Sequence, residues 1–282
     1  MHLVSGFARS TRWMRAALAA TGIAAGLAGC VTTGAPPKSP YNKSNTEDDT
    51  KTASDQTNAD RLSNTRMELA AAYLGRNQPT DALDQVKQAL QAKPENPAAY
   101  GLRGLIYASL GDNEKADDSF RHALQLAPHD GDLMHNYGWY LCQQRRFADA
   151  QAQFKLALAE PTYRSQSRTL LVQGICQLRA GKPQEAEHTL SHAYELDPAN
   201  PTIAVNLSEV LYRNAEYERA RFYIRRVNNR QELASAQTLW LAARIEHKLG
   251  QEEQVKAMGA QLRNRFPDAP ETLLFEKGKF DE

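Results

Sequence analysis

The sequence is poor in most of the features that advertise chemistry. Three cysteines among 282 residues are too few for a disulfide-built scaffold or a cysteine-rich metal domain. Aromatic residues make up 8% and the 16 Gly and 13 Pro follow no short period, which gives no support to collagen-like, mucin-like or all-β classes. Neither sign of charge dominates: Lys plus Arg is 34 against 33 for Asp plus Glu, so the basic surplus expected of a nucleic-acid partner is missing. No GxSxG, P-loop or GxGxxG occurs, leaving no nucleophile elbow or phosphate cradle to argue from. With 41% hydrophobic and 24% charged residues and a mean hydropathy of -0.61, the chain reads as one or two water-soluble, helical units.

The amino terminus is organised differently. Arg9, Arg12 and Arg15, with no acidic residue, precede an apolar run from Ala16 to Gly29. The run is about 14 residues, short of the roughly 20 that span a bilayer as a helix, so residues 1–29 read as a signal peptide rather than a permanent span. The run closes on Leu27-Ala28-Gly29-Cys30, which resembles the bacterial lipobox. There the cysteine becomes the first mature residue and its thiol takes the lipid, while small residues before it admit the peptidase. Removing residues 1–29 takes the formal charge from +1 to -2. Val31 in place of Asp after the lipid site implies, by resemblance to lipoprotein sorting rules, an outer-membrane address on the periplasmic face, where several acyl chains make anchoring stable. Residues 30–62 hold few apolar groups and no period, so they read as a lipidated cysteine and a flexible tether, whose mean reach is on the order of 30 Å.

The rest of the chain aligns on itself in rows of 34. The row 97–130 carries Tyr100, Gly104, Tyr107, Ala116, Phe120, Ala123 and Pro128, matching the tetratricopeptide pattern except that Arg103 replaces its leucine. The rows 63–96, 131–164, 167–200, 201–234 and 236–269 repeat the scheme, and 270–282 is left as a C-terminal cap or tail. Each row predicts two antiparallel helices that bury their apolar faces only by stacking on neighbours, giving an all-α tetratricopeptide-repeat superhelix with a curved inner surface. Small residues such as Gly104, Gly138 and Gly174 mark close helix approach, and Gly111, Gly181 and Gly250, each fifteenth in its row, suit a left-handed helix end.

Cys142 and Cys176 lie one repeat length apart, at positions twelve and ten of consecutive first helices. Two positions turn a helix by about 200°, so the side chains of neighbouring, roughly parallel helices face each other. A disulfide between repeats three and four is expected, the alternative being two reduced, buried thiols. His188 and His192 are four apart on a helix but form no HExxH and have no third ligand in register. No metal, cofactor or small-molecule substrate is therefore expected, and a metal-dependent hydrolase built on this pair stands only as the competing class.

The first-helix positions that face the concave side in tetratricopeptide folds place Met67, Ala71, Leu105, His135, Trp139, Leu171 and Ile175 along a groove through repeats one to four. A groove this apolar fits the hydrophobic face of a peptide or helix; the competing reading is packing against neighbouring helices. The later groove carries Glu209, Tyr212, Arg213, Arg244, His247 and Lys248 and serves either a different partner or solubility.

Lipobox, tether and six repeats, together with HNYGWYLCQQRRFADA (135–150), RTLLVQGICQLRAGKPQEAE (168–187), TLWLAARIEHKLGQ (238–251) and QLRNRFPDAPE (261–271), resemble the type IV pilus biogenesis and stability lipoproteins, the PilF/PilW pilotin family. The resemblance implies a non-enzymatic outer-membrane lipoprotein that binds the pilus secretin and promotes its outer-membrane localisation and multimerisation. The alternative in the same class is a lipoprotein adaptor for outer-membrane protein assembly or for peptidoglycan hydrolases.

Overall fold

A computed structural model describes residues 56–280. The segment expected to be a signal peptide, the expected lipid site Cys30 and most of the expected tether lie outside the described residues. Among those described there are thirteen helices and no strand. In chain order they are α1 (Asn58–Gly75), α2 (Pro79–Ala92), α3 (Pro97–Leu110), α4 (Asn113–Leu126), α5 (Gly131–Gln143), α6 (Phe147–Ala159), α7 (Gln166–Arg179), α8 (Pro183–Leu196), α9 (Pro201–Arg213), α10 (Tyr217–Asn228), α11 (Ala236–Lys248), α12 (Glu252–Arg265) and α13 (Pro270–Glu276). None is long and apolar enough to cross a membrane.

The helices form six antiparallel pairs that follow the rows of 34. Local chemistry sets their ends. Pro stands in the first turn of α2, α3, α8, α9 and α13, where its missing N–H costs nothing. Asn96, Asp112, Asp130, Asn200 and Ser235 accept from the first free backbone N–H groups of α3, α4, α5, α9 and α11. The turn inside each pair is left-handed at the fifteenth position in all six repeats: Gly111, Gly181 and Gly250, but also Asn77, Arg145 and Ala215. In one respect the row pattern places the boundary too late. The row pattern ends the tether at residue 62, whereas α1 is already formed from Asn58, and Asp60 on the added turn pairs with Lys93 at 2.6 Å.

Packing inside a pair rests on one recurring contact. The eighth residue of a row is small because the twenty-fourth residue of that row lies against its backbone. A Cβ on Gly104 would stand 2.8 Å from the Phe120 ring, one on Gly138 2.7 Å from Phe154, and one on Gly174 2.5 Å from Leu190. Repeat one meets the same demand with Ala70 and Val86, both fully buried. In repeat six the glycine moves to the second helix, where Gly259 receives the Phe275 ring of α13. That ring closes the end of the stack, as a terminal repeat requires.

Candidate functional site

The first helices α1, α3 and α5 lie side by side on the concave face and enclose an open groove of about 500 Å³. Its apolar floor is Met67, Ala71, Leu102, Leu105 and Leu133, and its rim carries Asn64, Glu68, Asp130, Asp132 and Asn136. Gly101 lets Leu133 lie close over α3: a Cβ there would meet Leu133 Cδ2 at 2.4 Å, so a larger residue requires that leucine's tip to shift. Asp130 is at once rim and helix cap, accepting from the Asp132 and Leu133 N–H groups at 2.9 and 3.0 Å.

Of the groove residues expected from the pattern, the structure brings Met67, Ala71 and Leu105 together. Trp139 lies farther along α5, half-buried against the core, with the Arg179 guanidinium 5.2 Å from its ring centre. Leu171 is half-buried between the cores of repeats four and five, and Ile175 is half-buried on α7. His135 is a correction. It does not face the groove but is 3% exposed, turned between α5 and α7, where its Nδ1 is 2.8 Å from Thr169 Oγ1. Thr169 in turn shares a hydrogen bond with the Tyr163 hydroxyl at 2.6 Å. This buried polar partner pulls the ring inward, and burial, helped by the nearby Arg168 charge, pushes the imidazole down to about 4. The residues the pattern missed, Leu102, Leu133 and the acidic rim, lie on neighbouring turns or in caps, which a fixed set of groove positions does not include.

Cys142 and Cys176 are joined by a disulfide, with their Cα atoms 5.8 Å apart. The bridge ties α5 to α7 inside the core that also holds Phe120, Leu141 and Phe154. His188 and His192 are exposed on α8, and among the described residues no group of three His, Cys, Asp or Glu is placed to hold a metal. The other dense polar cluster is an interhelical tie. Asp117 on α4 accepts from the Tyr137 hydroxyl at 2.8 Å and from Arg146 at 3.0 Å, and it pairs with Arg121. Burial opposes its charge, but these donors outweigh burial and hold the carboxyl below its ordinary range; Tyr137, buried against that carboxylate, is pushed up to about 12.

Profiles of the tetratricopeptide-repeat family match residues 67–131, 136–201 and 177–239. The chain is 25% identical over 257 residues to the type IV pilus assembly protein PilF of Pseudomonas aeruginosa, covering 91% of this chain and 96% of that one. The crystal structure of PilW, a widely conserved type IV pilus biogenesis factor, superposes with a TM-score of 0.69 at 31% identity, covering 76% of this chain and 97% of PilW. The structure of Pseudomonas aeruginosa PilF has the same fold, with a TM-score of 0.67 at 23% identity over 79% of this chain and the whole of that one. The chain therefore belongs to the tetratricopeptide-repeat family of type IV pilus biogenesis proteins that includes PilW and PilF.

Proposed function

We propose that this protein is an outer-membrane lipoprotein that holds a segment of the pilus secretin in the groove between α1, α3 and α5, and so promotes the secretin's outer-membrane placement and multimerisation. The observation that carries the reading is the groove itself: an open, apolar, concave floor that no other helix among the described residues covers, in a family of pilus biogenesis proteins. An apolar floor beneath Glu68, Asp130 and Asp132 suits an amphipathic segment with one apolar face and flanking Lys or Arg. Cys30, in its lipobox-like setting, supplies the membrane attachment. Tethering several copies at one surface raises the local concentration at which secretin subunits meet. No step of bond chemistry is required of the protein.

The first test deletes the gene and follows the secretin by membrane fractionation and unboiled gels; a normal secretin multimer in the outer membrane would end this reading. Complementation then separates the parts. Cys30→Ser is expected to leave secretin binding intact and misplace the complex. Ala71 is exposed on the groove floor, so Ala71→Arg fills the groove without touching the core. It is expected to weaken secretin binding by at least about ten-fold, and unchanged affinity moves the site to another face.

A further inference from the structure

The other end of the concave surface is occupied by the chain's own segment after α13, residues 278–280. Trp240, Arg244 and His247 stand at four- and three-residue spacing on α11, and Tyr212 joins them from α9. After α13, Gly278 adopts a left-handed conformation (φ 63°), with its N–H on the Phe275 carbonyl at 3.0 Å and the Lys279 N–H on the Leu274 carbonyl at 3.1 Å. This turn sends the chain back over α11. The Phe280 ring stacks on His247 (centroids 4.4 Å apart, planes 18° apart) and on Trp240 (5.3 Å, 30°), and meets Phe275 edge-on at 5.6 Å. Its carbonyl accepts from Arg244 Nε at 3.1 Å and from the Tyr212 hydroxyl at 3.4 Å. Arg244 is itself fixed by lying 4.5 Å over the Tyr212 ring.

These contacts have the form of ligand recognition rather than helix capping. An aromatic side chain sits between two aromatic faces, and its main-chain carbonyl meets two aligned donors, the combination that anchors a peptide residue. The groups that do this belong to the inner surface of repeats five and six. The end of the stack, by contrast, is already closed by Phe275 against Gly259, so Phe280 is not needed for that. In sequence Phe280 is followed by Asp281 and Glu282.

We infer that Trp240, Arg244, His247 and Tyr212 form a second peptide-binding site, selective for a protein segment that presents an aromatic side chain and the carbonyl of the same residue, and that the chain's own Phe280 is a resident ligand that such a segment must displace. The site is separate from the α1–α3–α5 groove, and its test does not depend on the secretin. Because the tail is covalently attached, its effective concentration at the site is on the order of millimolar. A free peptide therefore competes poorly with the intact chain and well once Phe280 is gone.

The experiment uses the full mature chain and a fluorophore-labelled peptide of residues 276–282. By anisotropy, the Phe280→Ala variant is expected to bind the peptide at least about ten-fold more tightly than the wild type. The same peptide with alanine in place of its phenylalanine is expected to give no measurable binding. Adding Arg244→Ala to Phe280→Ala removes the nearer of the two carbonyl donors and is expected to weaken binding by at least about ten-fold. Phe280→Leu keeps an apolar side chain on Trp240, provides a folded comparison if the alanine variant is unstable, and is expected to fall between the other two. No binding by either Phe280 variant overturns the inference and leaves the tail as an end cap only. Equal binding by wild type and variant also overturns it, because the tail then does not hold the site.

Discussion

Putting one methyl group on Gly138 tests the packing rule that builds every repeat. A Cβ there would stand 2.7 and 2.8 Å from Phe154 Cε1 and Cδ1 and 3.2 Å from Cζ, all inside ordinary van der Waals contact. The ring has nowhere to retreat: it is fully buried, in a core with Ala116, Leu141, Ala150 and the Cys142–Cys176 bridge. Overpacking of this kind costs about 1–3 kcal/mol, against a gain of about 1 kcal/mol for Ala over Gly inside a helix. Gly138→Ala is therefore expected to lose up to roughly 2 kcal/mol, a fall in Tm of up to about 8 °C for a unit of this size. Gly75, the last residue of α1, has nothing within 4 Å of its own added Cβ, so Gly75→Ala is expected to be neutral or stabilising by up to about 1 kcal/mol. Repeat one also supplies the compensating pair, Ala70 against Val86. In a Phe154→Val background, Gly138→Ala should lose most of its penalty, giving a coupling of roughly 1 kcal/mol between the two sites. Calorimetric melts and urea midpoints of the four proteins measure the cycle. A Gly138→Ala protein more stable than wild type, or a cycle with no coupling, would refute the account of close approach at the eighth position.

Three further outcomes follow from the same geometry. Replacing Cys142 and Cys176 with Ser opens a crosslink spanning 34 residues and is expected to lower stability by about 3–4 kcal/mol on the loop-entropy estimate, read from urea midpoints without reductant; a midpoint unchanged from wild type sinks the estimate. His135 titrates near 6.5 unfolded but about 4 in the fold, so between those values the unfolded chain holds the extra proton. Stability, complete above about pH 6.5, then falls by about 2 kcal/mol between pH 7 and pH 5, and His135→Gln should flatten that stretch of the profile. Ala215 is exposed and left-handed at φ 61°, a conformation costly to a residue with a Cβ, so Ala215→Gly is expected to raise Tm by about 1–3 °C; a lower Tm would show that the turn is not strained.

The rows of 34 carried most of the architecture because the same two contacts recur in them. A small eighth residue against a large twenty-fourth, and buried small residues on the second helix, are composition signals that survive without any knowledge of the neighbours. What escaped the sequence depends on partners elsewhere. The left-handed turns at Arg145 and Ala215 use residues with no preference that would reveal them, and they exist because the helix pair on either side leaves the chain no other path. His135 has the position of a groove residue, and only Thr169, one repeat later, and Tyr163 explain why it turns inward. The acidic rim was hidden for a different reason, since Asp130 is fully accounted for as a helix cap. The tail was unreadable because residues 270–282 fall outside every row.

The ninth position of the first helices runs Ala71, Leu105, Trp139, Ile175, Glu209 and, with one inserted residue, Arg244. The inner surface is thus apolar through four repeats and charged in the last two, so one amphipathic segment cannot satisfy both ends with the same face. Each repeat touches only its neighbours, and communication between the ends has to pass through α5 and α7, where the disulfide removes freedom of one helix against the other. Two ligands on such a stiffened stack are expected to bind independently. Energetic effects of Ala71→Arg and of Arg244→Ala should add, as they do for distant sites without shared partners. A departure from additivity in the oxidised protein that disappears in the Cys142→Ser/Cys176→Ser variant would locate a coupling path in the bridge itself.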